Sequence, residues 1–205
     1  MASSMAHESL REPEVIAQRI KLLSQPHISP LTRYTETLSQ RTSEVPYFDP
    51  LDGGCQAKVL VLLESPAKLA SRPRFVSRDN PVPAQRNLKR FLHDAGLPRR
   101  HSVLWNVYPW LPEPTHGERR PLTRHDIDRG IGELPALLGL LPELRVIVLA
   151  GRTSQRVLPK LERLASPCLI LTMPHPSPLA VCVSPDVEAK IVKTLTQAAQ
   201  VAAQP

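Results

Sequence analysis

Apolar residues fall along this chain in short runs separated by polar, proline-bearing stretches. Lys58–Leu63 (KVLVLL), Ser102–Val107 (SVLWNV), Leu144–Ala150 (LRVIVLA) and Cys168–Met173 (CLILTM) are each too short for a free-standing helix, and their apolar density predicts four buried strands. Helical spacing lies between and after them. Ala84–Ala95 carries Leu88, Phe91, Leu92 and Ala95 at i, i+3, i+4 and i+7; Arg124–Leu140 and Thr153–Leu164 follow, and Asp186–Val201 sets Val187, Ile191, Leu195 and Ala198 on one face. Strands alternating with helices predict parallel pairing through right-handed crossovers, hence an α/β fold: a three-layer α/β/α sandwich around a four-stranded parallel sheet. Upstream, residues 1–11 are polar, Val15, Ile16, Ile20, Leu22 and Leu23 predict one helix, and Leu31–Leu38 predicts another. Residues 1–50 are therefore read as a helical extension and residues 51–205 as the α/β/α domain.

Composition narrows the picture. A chain of 205 residues suits one domain with an appendage, and a 41% hydrophobic share is enough for a buried core. The 23 prolines stand against eight glycines and sit between the apolar runs, so they punctuate elements rather than form a repeat. No run approaches the roughly 18 apolar residues of a spanning helix, and the N-terminus lacks an apolar signal core, so a cytoplasmic protein is expected. Cys55, Cys168 and Cys182 have no CxxC spacing and support neither a disulfide framework nor a four-cysteine metal site. The net charge of +7 favours a polyanionic partner. Between residues 68 and 100, nine Lys and Arg stand against Asp79 and Asp94, a local excess equal to that of the whole chain. Such a run either tracks phosphates or is a solvated face.

In open parallel sheets the chemistry sits beyond the carboxyl ends of the strands. The four exits read LLESPA, NVYPW, AGRTSQ and MPHPSPLA, and all should meet on one rim. Glu64 ends an apolar strand, where a carboxylate is costly unless something uses or satisfies it; a helix cap or ion pair is the bland alternative. His175 sits in a stiff proline-flanked loop and is suited to donate to a developing anion. The Asn106 amide carries both a donor and an acceptor and so suits reading a polar ligand edge, or it forms a turn that ends the strand. Phe75 suits stacking on a planar ring, and Leu179 is an apolar residue in a polar, proline-rich loop; either side chain also suits a core. The segment Gly151-Arg152-Thr153-Ser154 opens a helix and offers backbone N–H groups to a phosphate or to the helix cap.

In order, these exits resemble the uracil-DNA glycosylase superfamily over about residues 46–200. The most specific piece is His175-Pro176-Ser177-Pro178-Leu179, which is similar to the family's DNA-wedge loop. Leu63-Glu64-Ser65-Pro66-Ala67 falls on the family's first motif. It matches the Gly-Glu-Ala-Pro-Gly variant of the iron–sulfur branch at Glu64 and Pro66 but replaces both glycines. Phe75 followed by Asn80, Pro81, Pro83 and Asn87 resembles the segment after the first strand, and the lead-in VPYFDPLDGG resembles a little-described bacterial branch without an iron–sulfur cluster.

The resemblance implies catalytic roles for Glu64, which positions the water, and His175. It implies substrate contacts from Ser65, Phe75, Asn80 and Asn106, and DNA contacts from Ser177, Leu179, Arg152 and Thr153. Asp79 and Asn80 are the alternative holders of the water. The expected activity is monofunctional excision of uracil, or a related deaminated base, from DNA by base flipping in base excision repair, by a monomer without metal or organic cofactor. No lysine stands in a recognisable nucleophile position. Two other readings stay open: a relative that binds DNA without turnover, and a hydrolase using Ser65 or Ser177 with His175. The latter lacks the G-x-S-x-G turn.

Overall fold

The computed structural model describes residues 9–67, 69, 72–111, 121–164 and 167–204. The chain runs α1 (Pro13–Leu22), α2 (Ser29–Arg41), β1 (Tyr47–Phe48), β2 (Val59–Leu63), β3 (Phe75–Val76), α3 (Pro83–Asp94), β4 (Ser102–Asn106), α4 (Arg124–Gly139) and β5 (Val146–Ala150). It continues through α5 (Arg152–Gln155), α6 (Leu158–Leu164), β6 (Leu169–Met173), α7 (Pro178–Val181) and α8 (Pro185–Ala203). The four apolar runs form one parallel sheet in the order β4-β2-β5-β6, flanked by helices in the expected three-layer α/β/α arrangement. Every residue of β2, β4 and β5 is buried, as a sheet covered on both faces requires. The fourth run departs from the expectation of a buried strand. β6 is an edge with a neighbour on one side only, and Leu169 and Thr172 are exposed.

Local chemistry sets the helix ends. Pro83 occupies the first turn of α3, where its missing N–H costs nothing, and Val82 before it is held extended. Thr123 and Asp126 form a reciprocal capping box on α4, and Ser184 accepts from the Asp186 N–H at the start of α8. The helix expected over Thr153–Leu164 is two pieces. Pro159 cannot donate back to Gln155, so α5 stops and α6 restarts with the proline in its first turn. Gly130 lets α4 lie directly on the exit of β4: a Cβ there would sit 1.9 Å from the Val107 carbonyl oxygen.

The main core takes Ile28, Leu31 and Leu38 from α2 and its flank, together with the inward faces of the sheet and of α3, α4 and α8. Phe48 stacks on Trp105 at 3.8 Å between centroids. Leu10, Ile16 and Phe75 form a second, smaller cluster with Tyr47 and Val15 at its edge.

Beside that cluster lies a buried ionic network. Asp79 accepts from Arg19 Nη2 at 2.7 Å, Arg99 Nη1 at 2.7 Å and Lys89 Nζ at 2.8 Å. Arg99 also donates to Asp49 at 2.7 Å and to Asp52 at 2.9 Å, and Arg78 donates to Ser102 at 2.8 Å while facing Asp52 at 3.3 Å. Ser77 donates to Asp49. Burial alone would raise the Asp79 carboxyl, but Arg99 and Lys89 more than reverse it and hold it below the ordinary carboxylate value. Burial outweighs the cations at Asp52, whose pKa is pushed up to about 6 and whose Oδ2 has no hydrogen-bond partner among the described residues.

The network corrects the reading of residues 68–100 as a free basic run. Arg72 and Arg74 pair with Glu44, Arg90 with Glu188, and Arg78, Lys89 and Arg99 with the buried aspartates; Lys68 lies outside the described residues. Of the described cations in that run, Arg86 and Arg100 alone lack an ion pair with a described residue. Replacing Asp79 by Ala removes the acceptor shared by the buried Arg19 and the half-buried Lys89 and Arg99, and should lower unfolding free energy by about 3–5 kcal/mol. Urea denaturation measures this; a loss below about 1 kcal/mol, the worth of an exposed pair, would mean that the network is solvated.

Candidate active site

Because all four strands run parallel, their carboxyl ends share one rim. Asn106 closes β4 opposite Leu63, the last residue of β2, and Glu64 follows directly. Gly151 follows β5, and His175 stands two residues beyond β6. Glu64, Ser65, Ala67 and His175 line a single cavity of about 300 Å³, closed by Leu63 and by Val82, Ala84 and Gln85 at the start of α3.

His175 reaches this cavity across the end of β5, and Gly151 makes that possible. Gly151 has φ +90°, in the left-handed region, and a Cβ there would lie 2.9 Å from the His175 Cβ. The Gly151 N–H donates to the Met173 carbonyl at 2.9 Å, and Gln155 Nε2 donates to the same oxygen at 3.1 Å. Asn87 Nδ2 of α3 donates to the Pro176 carbonyl at 2.9 Å. The loop is thus tied to two helices and a strand exit. Within it, His175 Nδ1 accepts from the Ser177 N–H at 3.2 Å, so the neutral ring carries its proton on Nε2.

On the facing wall, the Leu63 carbonyl accepts from the Val107 N–H at 2.8 Å and the Glu64 carbonyl accepts from the Tyr108 N–H at 3.0 Å. These bonds fix the backbone that presents the half-buried Glu64 side chain. The Ser65 Oγ beside it is buried with no hydrogen-bond partner among the described residues. A carboxylate, an orphan hydroxyl and an imidazole therefore meet in one small space. The carboxylate can orient water, and the hydroxyl and imidazole can donate to negative charge developing on a bound group.

The other expected site residues are distributed differently. Asn106 is buried at the rim, one ladder step from Glu64, but does not line the cavity. Phe75 packs into the small cluster with Leu10 and Ile16 and is likewise absent from the lining. Asn80 donates to the Phe75 carbonyl at 2.9 Å, and with Asp79 it lines a different cavity; Asp79 is occupied by its three cations. Leu179 is 86% exposed at the head of α7, which Ser177 precedes as N-cap. Arg152 is exposed and Thr153 half-buried at the start of α5. Sequence reasoning had no role for Gln85, which lines the cavity, or for the anchors Asn87 and Gln155.

A family model described as the uracil DNA glycosylase superfamily matches residues 50–196. The chain belongs to the uracil DNA glycosylase superfamily. No curated protein matches the chain. Superfamily membership supports a DNA glycosylase-type function with DNA as the substrate. Among the described residues, no helix is long and apolar enough to cross a membrane. The missing side chain of Gly151 sets where the His175 ring can stand. Gly151→Ala displaces His175 and should slow base release by about 10²-fold. Single-turnover rates with the variant's Tm recorded alongside check this, and an unchanged rate would detach His175 from the chemistry.

Proposed function

We propose that this chain is a monofunctional glycosylase that hydrolyses the N-glycosidic bond of uracil, or of a related deaminated base, in DNA. One observation carries the reading: Glu64 and His175 line the same cavity, beyond the carboxyl ends of the strands. Cleavage of this bond passes through an oxocarbenium-like sugar and a base anion, so the site needs a carboxylate near C1′ and a donor near the base oxygen. Glu64 positions the attacking water and opposes the cationic sugar. His175, its Nδ1 engaged by the Ser177 N–H, turns Nε2–H toward the developing charge on O2.

Reading of the base edge falls to the Ser65 hydroxyl and the Gln85 amide in the lining, with the Asn106 amide one ladder step behind Glu64. The cavity wall at Ala67 is small. A methyl-sized difference against such a wall discriminates by only about 1–3 kcal/mol even when well packed. The exposed Leu179 is the wedge that enters the space vacated by the flipped nucleotide, with Arg152, Thr153 and Ser177 set beside the strand backbone.

Oligonucleotides bearing uracil should acquire abasic sites that break only after alkali, and Glu64→Gln should slow the single-turnover step by about 10²-fold or more with DNA affinity retained. DNA binding with no abasic product would identify a non-catalytic relative. In a panel of uracil, 5-hydroxymethyluracil, thymine opposite guanine, and hypoxanthine, uracil should be the best substrate with measurable release of 5-substituted uracils; strict uracil cleavage would speak against an open wall at Ala67. Leu179→Ala should reduce cleavage of duplex several-fold more than that of single strands, and equal losses on both would remove the wedge role.

A further inference from the structure

A second cavity, of about 460 Å³, opens between the N-terminal segment and the start of α3. Four cations, Arg11, Arg78, Arg86 and Lys89, line it against Glu12 and Asp79. The two acids do not neutralise it. Asp79 is already held by Arg19, Arg99 and Lys89, whereas Arg11 and Arg86 are exposed and form no ion pair with a described residue. Buried polar atoms in the same lining also lack hydrogen-bond partners among the described residues: Arg78 Nε, a donor, and the side-chain oxygen of Asn80, an acceptor.

Its position gives the cleft a meaning. The segment 80–85 separates it from the Glu64–His175 cavity, with Asn80 and Pro81 on one side and Val82, Ala84 and Gln85 on the other. A strand whose target nucleotide enters the catalytic cavity carries its flanking phosphates past this ridge. We propose that the cleft is a phosphate site for the DNA backbone next to the target nucleotide, with Arg11 and Arg86 as its contacts and Arg78 and Lys89 as its positive floor. The inference rests on the glycosylase reading and extends it, because it makes the N-terminal segment before α1 part of the DNA interface. Most of the basic run at residues 68–100 is consumed in ion pairs, so the phosphate contacts come from Arg86 together with a residue about 75 positions earlier in the chain.

Binding of a labelled, undamaged duplex, followed by anisotropy over a salt series, tests this without requiring turnover. Each of Arg11→Ala and Arg86→Ala should lower the slope of log K against log salt by about 0.9, and the double variant by about twice that. Lys58→Ala removes the same charge at the opposite end of the sheet and should leave the slope at the wild-type value. Wild-type binding with an unchanged slope in the double variant overturns the cleft assignment alone. A wild-type protein that binds no DNA overturns the assignment and the glycosylase reading together. Thermal unfolding in sodium phosphate against sodium chloride of equal ionic strength separates the two sources of phosphate. Stabilisation by free phosphate that the double variant loses, with its DNA slope intact, would make this a site for the free ion and overturn the backbone assignment.

Discussion

Three buried carboxylates hold together parts of this chain that are far apart in sequence. Asp79 is reached at once from α1 by Arg19, from α3 by Lys89 and from the turn before β4 by Arg99, and Arg99 extends the network to Asp49 and Asp52. Such a network is weak evidence for extra stability, since well-packed apolar groups in its place are often as stable. Its consequence is geometric. Each carboxylate is satisfied only when several elements sit in register, and the segment that bears Asp79 runs straight into Val82, Ala84 and Gln85, one wall of the candidate active site.

The opposite walls depend on the sheet. Parallel pairing brings Leu63 and Asn106 to the same ladder step and places Glu64 just outside the core. β6 lies two strands away from β2, so its loop reaches the same cavity only by crossing the end of β5. The missing side chain at Gly151 makes room for that crossing, and the bonds from Asn87, Gln155 and the Ser177 N–H stiffen it. A rigid donor opposite a carboxylate suits a reaction in which charge develops on both the sugar and the departing base, because the site needs little reorganisation as the bond breaks.

What the sequence made legible follows the range of the interactions. The strands of the central sheet and the faces of α3 and α8 depend on local periodicity, which a single chain displays. The half-exposed β6 depends on being the edge away from β1 and β3, which pack on the other edge, β4; this is a property of strand order rather than of its Leu-Ile-Leu pattern. The charge run at residues 68–100 misled for a related reason. Besides Asp79, its ion-pair partners Glu44, Asp49, Asp52 and Glu188 lie outside the segment, so a count taken within it could not register them. That Glu64 and His175 meet at one cavity was legible from the order of the strand exits. The burial of Phe75 beside Leu10 and Ile16 was not, because those two come from a segment whose contacts no local pattern reveals. Gly151 was visible as a helix opener, but its closeness to His175 exists only in three dimensions.

The central claim is that one cavity at the rim receives the base and that Glu64 and His175 act on it together. The most direct measurement is a crystal structure of the protein with a duplex containing 2′-fluoro-2′-deoxyuridine, whose glycosidic bond resists hydrolysis. The account predicts the uracil extruded into the cavity lined by Glu64, Ala67 and His175, with His175 Nε2 at hydrogen-bonding distance from O2 and Leu179 in the vacated stack. A uracil that stays paired in the bound duplex, or that enters a different cavity, would contradict it.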